Sequence, residues 1–355
     1  MHTKTNRRPK RFRKVLLTTL VTLPLLAGSV AAAGPLPNEA FIGGYSSDTA
    51  GAGYSNYPAD KNQITPRSAL PDKLDLREAD LNGDGTVEPP YVTIAKQQSP
   101  WGTCWSFGAL SVVESNYIKK TGIAAEDVDF SERYHAWFGY TPDHGEGIEP
   151  LKNAAKRLNY GGNRNISATT LTSWSGPAEE SAAPYQANDG DTESMDADWS
   201  LPDSLIRDSQ SMSGARVQNI DFLPGTATFT DQENHTGYVY SEAAAQAIKQ
   251  AIMKNGVVEV SYCAAVSIPG QEPDWSYLNT KTKAHYVNKY AMANHVVSIV
   301  GWDDNYSATN FNEGRQPEHD GAWIVKNSWG NYEDLPDEIW EKNKDRAQVL
   351  SLIHI

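Results

Sequence analysis

Two cysteines occur among the 355 residues, Cys104 and Cys263. Cys104 lies in Gln97-Gln-Ser-Pro-Trp-Gly-Thr-Cys-Trp-Ser-Phe107, which opens a stretch of helical spacing. Cys104, Phe107, Ala109, Leu110, Val113, Tyr117 and Ile118 share one side until Gly122 offers a stop. The thiol therefore falls in the first turn of a helix, where unpaired amides and the positive dipole end favour a thiolate. A thiolate there is a usable nucleophile, and a buried, inert thiol is the ordinary alternative for a lone cysteine. A nucleophile needs a base. His295 leads the apolar run Ala293-Asn-His-Val-Val-Ser-Ile-Val-Gly-Trp302, and Asn327 closes a second, Gly321-Ala-Trp-Ile-Val-Lys-Asn-Ser-Trp-Gly330. Each run has the length and composition of a buried strand. Taken singly, His295 is as readily a core histidine and Asn327 a turn residue. Cys263, at the end of the strand-like Gly256-Val-Val-Glu-Val-Ser-Tyr262, reads as buried and free.

Taken in order, these strings resemble the papain-like cysteine peptidases. That family writes its nucleophile as Cys-Gly-Ser/Ala-Cys-Trp/Tyr, and this chain has Trp101-Gly102-Thr103-Cys104-Trp105. The first family cysteine, which makes a structural disulfide, is a tryptophan here, and the nucleophile position is intact. The resemblance implies that Cys104 attacks a peptide carbonyl, that His295 is its base, and that Asn327 orients the imidazole. It implies Gln98 as the side-chain oxyanion donor, with Trp329 shielding the His–Asn hydrogen bond. It also implies substrate-binding roles for Gly161 and Gly162 in Tyr160-Gly-Gly-Asn163, for Ser261, Asn294 and Trp329.

The implied fold is α+β: a helical left subdomain at about 95–215, a β-barrel-like right subdomain at about 216–355, and the cleft between them. Asp75-Leu-Arg77 resembles the start of the mature domain and Phe130-Ser-Glu-Arg133 its capped second helix; Ala183-Pro-Tyr185 also fits in order. His295 follows Cys104 by 191 residues, against about 130–150 in the family. The surplus is assigned to insertions at about 138–156 and in the acidic stretch 186–214, which has no convincing core period. A long loop, 303–320, separates the His and Asn strands. After Gly330 the family continues into a strand that closes the small barrel, and the charged segment 331–355 gives no sign of one. The pattern resembles secreted prokaryotic members that carry lectin-like or adhesion modules. Two alternatives keep the same residues: a catalytically weak or inactive papain-fold surface adhesin, and a transglutaminase-type acyltransferase. Asn327 in place of an aspartate and the upstream Gln98 argue against the acyltransferase.

Composition narrows the partners. Lys plus Arg number 31 against 44 Asp plus Glu, a formal charge of −13, and seven of the cations lie in the first 14 residues, so the remainder is more acidic still. Such a field repels phosphates and anionic lipid, which excludes nucleic acid as the expected partner and leaves a protein or peptide substrate. Residues 1–33 read as an export signal: a basic start, an apolar run from Val15, and Ala31-Ala-Ala33. Too short and too interrupted to span a bilayer, that run predicts a secreted, extracellular or cell-surface protein, with the surface matrix as a candidate partner and no membrane span after signal cleavage. Residues 34–73 read as a flexible leader or short pro-segment before a peptidase domain at 74–355. Asp80, Asn82 and Asp84 fill three oxygen-ligand positions of a calcium loop, yet Tyr91 stands where the bidentate carboxylate belongs and Pro89-Pro90 break the exit helix. No cofactor is called for, and no His-Glu-x-x-His spacing points to a metallopeptidase.

Overall fold

The computed structural model describes residues 70–81, 84–99, 101–140, 161–173, 175–185, 201–207, 215–231, 233–234, 236–266, 273–330 and 350–354. The export signal, most of the leader, Asn82 and nearly all of the 138–156 insertion lie outside them. The elements in chain order are β1 (Lys73–Asp75), α1 (Cys104–Thr121), α2 (Glu132–Gly139), α3 (Arg164–Thr172) and α4 (Asp203–Arg207). There follow β2 (Ala227–Asp231), β3 (Thr236–Tyr240), α5 (Glu242–Asn255), β4 (Val258–Tyr262), β5 (Ala284–His285), β6 (His295–Asp303), β7 (Ala322–Lys326) and β8 (Leu350–His354). Helices and an antiparallel-dominated sheet occur in segregated runs, the α+β arrangement expected from the sequence.

Helix α1 begins at Cys104 and ends where the sequence predicts. Gly122 takes the left-handed conformation (φ 70°) and its N–H bonds Ile118 O, while Lys119 and Lys120 complement the dipole in the last turn. Ser131 caps α2, its hydroxyl accepting from Tyr134 N at 3.0 Å. Strand β6 is buried on both faces, so it reads as a continuous apolar run rather than an alternation. One edge of β6 pairs with β4 along 295–299 and with β1 along 301–303, and the other edge pairs with β7, all antiparallel. Strand β4 does alternate. Val258, Val260 and Tyr262 join α5 residues Ala245 and Ile248 in the main core, which directs Glu259 and Ser261 to the opposite face, toward α1. There Gly108 matters, because a Cβ on it would sit 2.6 Å from Val296 Cγ1. Only glycine lets α1 press so closely against Val296, the residue after His295 in β6.

Three expectations are corrected. Residues 350–354, expected to hold no closing strand, form β8, which pairs antiparallel with β7 and parallel with β5. The outer edge of β7 presents unpaired backbone groups, and the Leu-Ser-Leu-Ile-His segment is a good β-former that satisfies them. The barrel-like right half is instead an open sheet among the described strands, ordered β1-β6-β7-β8-β5 with β4 beside β6. The stretch 186–214 is likewise not wholly without core: Leu201 is buried with Tyr134, Phe138 and Ala183, and Leu205 and Ile206 of α4 pack on the same cluster.

Candidate active site

The site is assembled by a seam between two distant segments. Gln98 N donates to Ser328 O at 2.8 Å, Gly330 N to Lys96 O at 3.0 Å, and the Gln97 side-chain amide to Trp329 O at 3.2 Å. These bonds fix the residues before Cys104 against the residues after β7. Tyr185 braces the approach to the helix, its hydroxyl donating to Gln98 O (2.6 Å) and lying 2.7 Å from Thr103 Oγ1. Sequence reasoning placed Tyr185 only as a segment in order; its bracing role depends on a contact across 82 residues that no local pattern encodes.

Cys104 is half-buried at the first position of α1 and packs with Trp101, Trp105 and Val296. His295, the residue before Val296, starts β6 opposite Tyr262. Its Nε2 lies 2.7 Å from Asn327 Oδ1, and the same oxygen accepts from Ser328 N at 2.8 Å. A carbonyl oxygen only accepts, so Nε2 carries the proton and Nδ1 keeps a lone pair for a thiol. Trp329 stacks on the imidazole (centroids 4.7 Å apart, planes 22°), with Trp275 edge-on to it at 5.7 Å. The ring and its hydrogen bond are thereby removed from water, which strengthens that bond.

Gln98 has a fixed amide. Its Oε1 accepts from Ser328 Oγ (2.6 Å) and its Nε2 donates to Trp101 O (2.9 Å), leaving a second Nε2 hydrogen beside the start of α1. Gly162 backs directly onto Trp105, since a Cβ there would lie 2.5 Å from the indole. Ser261 stands on β4 opposite Val296. Asn294 has both ends of its amide engaged, accepting from Ala264 N (2.9 Å) and donating to Ala265 O (2.7 Å), which ties the 264–265 loop to the histidine strand. The calcium candidates serve their own turn: Asp80 accepts from Gly85 N and Asp84 from Thr86 N, both at 2.8 Å. Among the described residues no group of three or more His, Cys, Asp or Glu is placed to hold a metal ion.

Charge at the site is governed by burial. Burial pushes the Cys104 thiol up to about 11, although the N–H groups of Val296, Trp105 and Cys104 itself favour the thiolate. The helix-end argument gave the opposite direction; for the thiol taken alone, loss of solvent outweighs the helix amides. Burial also brings His295 down to about 4, partly offset by Asn327. Each group taken by itself is therefore neutral between these two limits.

A buried ionic cluster, missed in the sequence, backs the site. Lys96 Nζ reaches Glu114 Oε1 (3.0 Å), Glu132 Oε1 (2.9 Å) and Asp129 Oδ1 (2.6 Å). Lys326 Nζ donates to Thr93 Oγ1 at 2.7 Å and lies 3.9 Å from Glu114. Lys96 is two residues before Gln98 and Lys326 one before Asn327, so the cluster ties both segments to α1 and α2.

The model of the papain family cysteine proteases matches residues 155–334, half of the chain, including His295 and Asn327. The chain belongs to that family. The match begins after Cys104 and Gln98, which are placed by their own motif and by the seam. A probable cysteine protease of Arabidopsis thaliana, RD19B, is 25% identical over 288 residues, covering 81% of this chain and 60% of that protein. Peptidase 1 of Psoroptes ovis is 26% identical over 121 residues, 34% of this chain and 29% of that one. The solved clostridial cysteine protease Cwp84, after propeptide cleavage, is 27% identical with a TM-score of 0.45, covering 74% of this chain and 51% of its own. The chain thus spans less than two thirds of the length of each of these relatives. Among the described residues no helix is long and apolar enough to cross a membrane.

Proposed function

We propose that this papain-family chain is a secreted cysteine endopeptidase, with residues 74–355 as its catalytic domain and Cys104, His295 and Asn327 as its working residues. The observation that carries the reading is the buried, Trp329-stacked His295–Asn327 hydrogen bond, whose acceptor leaves Nδ1 bare on the strand that meets the Cys104 helix. In the reaction, Nδ1 takes the Cys104 proton as sulfur attacks the peptide carbonyl carbon. The oxyanion is held by the Cys104 N–H, a first-turn amide without a helical acceptor, and by the free Nε2 hydrogen of Gln98. When the C–N bond breaks, Nδ1 returns the proton to the leaving amine. Water then gives a proton to Nδ1 and attacks the acyl carbon; the C–S bond breaks and the thiol is restored. Gly161, Gly162 and Ser261 flank the space where the substrate backbone and a side chain would lie. The signal-like residues 1–33 support export, and the acidic surface supports a protein or peptide substrate, with an extracellular or surface matrix as its setting.

The deciding experiment is treatment of the purified full chain with an epoxysuccinyl peptide under reducing conditions, followed by peptide mapping. Alkylation confined to Cys104, with Cys263 untouched, is the expected result. A folded protein that takes up no label sinks the peptidase reading and favours a binding role for the same fold.

Two further outcomes follow from the geometry. Gln98→Ala removes one oxyanion donor and is expected to lower kcat by about 10²–10³-fold. Steady-state kinetics on a peptide substrate should show KM little changed. The pH dependence of kcat/KM should have an acid limb near 4. Below it His295 binds a proton while Cys104 keeps its own, so the base is lost; as pH rises through 4 that proton leaves and activity appears. A limb at 6 or above would mean that His295 is not desolvated as described.

A further inference from the structure

A small pocket with room for about one water lies between α1, β6 and the end of β7, and its walls include Ser111, Glu132, Ser298, Lys326 and Asn327. Three of these residues present a buried side-chain polar atom with no hydrogen-bond partner among the described residues: Ser111 Oγ, Glu132 Oε2 and Asn327 Nδ2. Their residues are 4%, 2% and 2% exposed. An orphaned buried polar atom costs about 1–3 kcal/mol, and three around one cavity are not a chance feature of a native core. Their chemistry is complementary through a single small molecule. Asn327 Nδ2 can only donate, a Glu132 carboxylate oxygen can only accept, and Ser111 can do either.

We infer that this cavity is a built site for one ordered water, which accepts from Asn327 Nδ2 and donates to Glu132 Oε2 and Ser111 Oγ, and that through it Glu132 and Ser111 are positioning residues for Asn327. Room for about one water and three hydrogen bonds are the usual terms of an internal water. The count survives protonation of Glu132: a carboxylic acid then donates to the water, which accepts from Glu132 and Asn327 and donates to Ser111. The functional consequence lies in the other end of Asn327. An amide whose nitrogen is anchored cannot rotate to exchange Oδ1 for Nδ2, and Oδ1 is the atom that His295 requires. The ionic cluster fixes Glu132 through Lys96, so the water passes the rigidity of that cluster to the histidine's partner.

The catalytic half of this inference rests on the peptidase reading; the site itself does not, and two measurements separate them. The first is a high-resolution crystal structure of the Cys104→Ala protein beside a Cys104→Ala/Ser111→Val double variant. Density for a water within hydrogen-bond distance of all three atoms, lost when the valine methyls fill the space, is expected. A dry cavity, or one closed by rearranged side chains, overturns the site. The second is kinetic, on otherwise native protein. Ser111→Val is expected to lower kcat about tenfold, the equivalent of one lost hydrogen bond, with KM unchanged, and to lower it no further in an Asn327→Ala background. Equal losses in both backgrounds would overturn the positioning role, since a merely structural defect adds. Should Ser111→Val not fold, Glu132→Gln keeps the volume and turns an acceptor toward a donor, and the same non-additivity is expected of it. If Asn327→Ala alone leaves peptidase activity intact, the catalytic reading fails while the crystallographic result still decides the site.

Discussion

Cys104→Ala should abolish peptide hydrolysis, with kcat falling on the order of 10⁴-fold or more, while the thermal unfolding midpoint stays close to that of the parent. In the proposed mechanism sulfur supplies the only bond to the acyl intermediate, so its removal should leave no partial function. Cys104 is half-buried against Trp101 and Trp105, and replacing its single –SH group by hydrogen there costs little packing. A Cys104→Ser companion sharpens the test, because a hydroxyl has the geometry of the thiol without its acidity or nucleophilicity. Equal loss in both variants assigns the effect to sulfur chemistry rather than to shape. Retention of more than a few per cent of activity in either variant would remove Cys104 from the mechanism and turn attention to Cys263. That second thiol is half-buried and lies beyond the end of β4, and burial pushes it up to about 11 despite Lys289. No imidazole–amide pair like that of His295 and Asn327 is described beside it.

What the sequence made legible was whatever is encoded within a few residues. The start of α1 at Cys104, its stop at Gly122, the Ser131 cap and the apolar strand at 295–302 all follow from spacing and cap chemistry. The candidate site residues stood out for a different reason, since Cys104, His295 and Asn327 each lie in a string that resembles a family motif. Long-range pairing was not legible. Residues 350–354 look like a charged chain's apolar end until the open edge of β7 gives them a partner. Leu201 and α4 sit in an acidic stretch, yet their few apolar residues suffice to cover Tyr134 and Phe138. The helix-end effect on the Cys104 thiol was read with the right sign for the helix and without the burial that opposes it. The side-chain bonds by which Asn294 holds the 264–265 loop were not legible either, because they join residues about thirty positions apart.

The largest gap between sequence and structure is the ionic cluster, and it carries the second large prediction. Nothing in the local pattern marks Lys96, Glu114, Glu132 and Lys326 as partners, although lysine and glutamate are almost never buried unless paired. Here Glu114 receives Thr93 Oγ1 (2.5 Å), Phe130 N (3.0 Å) and Lys96 Nζ (3.0 Å), and faces Lys326 as well. Removing one member of such a set strands the others without solvent. Glu114→Ala should therefore destabilise the protein by about 3–5 kcal/mol, read from urea unfolding. Glu114→Gln, which keeps the volume and an acceptor for Phe130 N, should recover only the packing part. Burial already brings Lys326 down to about 8, and Glu114 is the main group opposing that shift. Without it the folded protein holds the Lys326 proton still less tightly than the unfolded chain does, so the unfolded state binds more protons and stability of the variant rises with pH. The part of the deficit due to Lys326 should thus be largest at acid pH, shrink as pH approaches 8, and vanish above it, where Lys326 is neutral in both folded proteins. A deficit independent of pH from 6 to 9 would instead place the cost in packing alone. Lys96 and Lys326 immediately precede the segments of Gln98 and Asn327, so the same variant should lose kcat at temperatures where it is still folded. The cluster is then as much a part of the active site's alignment as of the protein's stability.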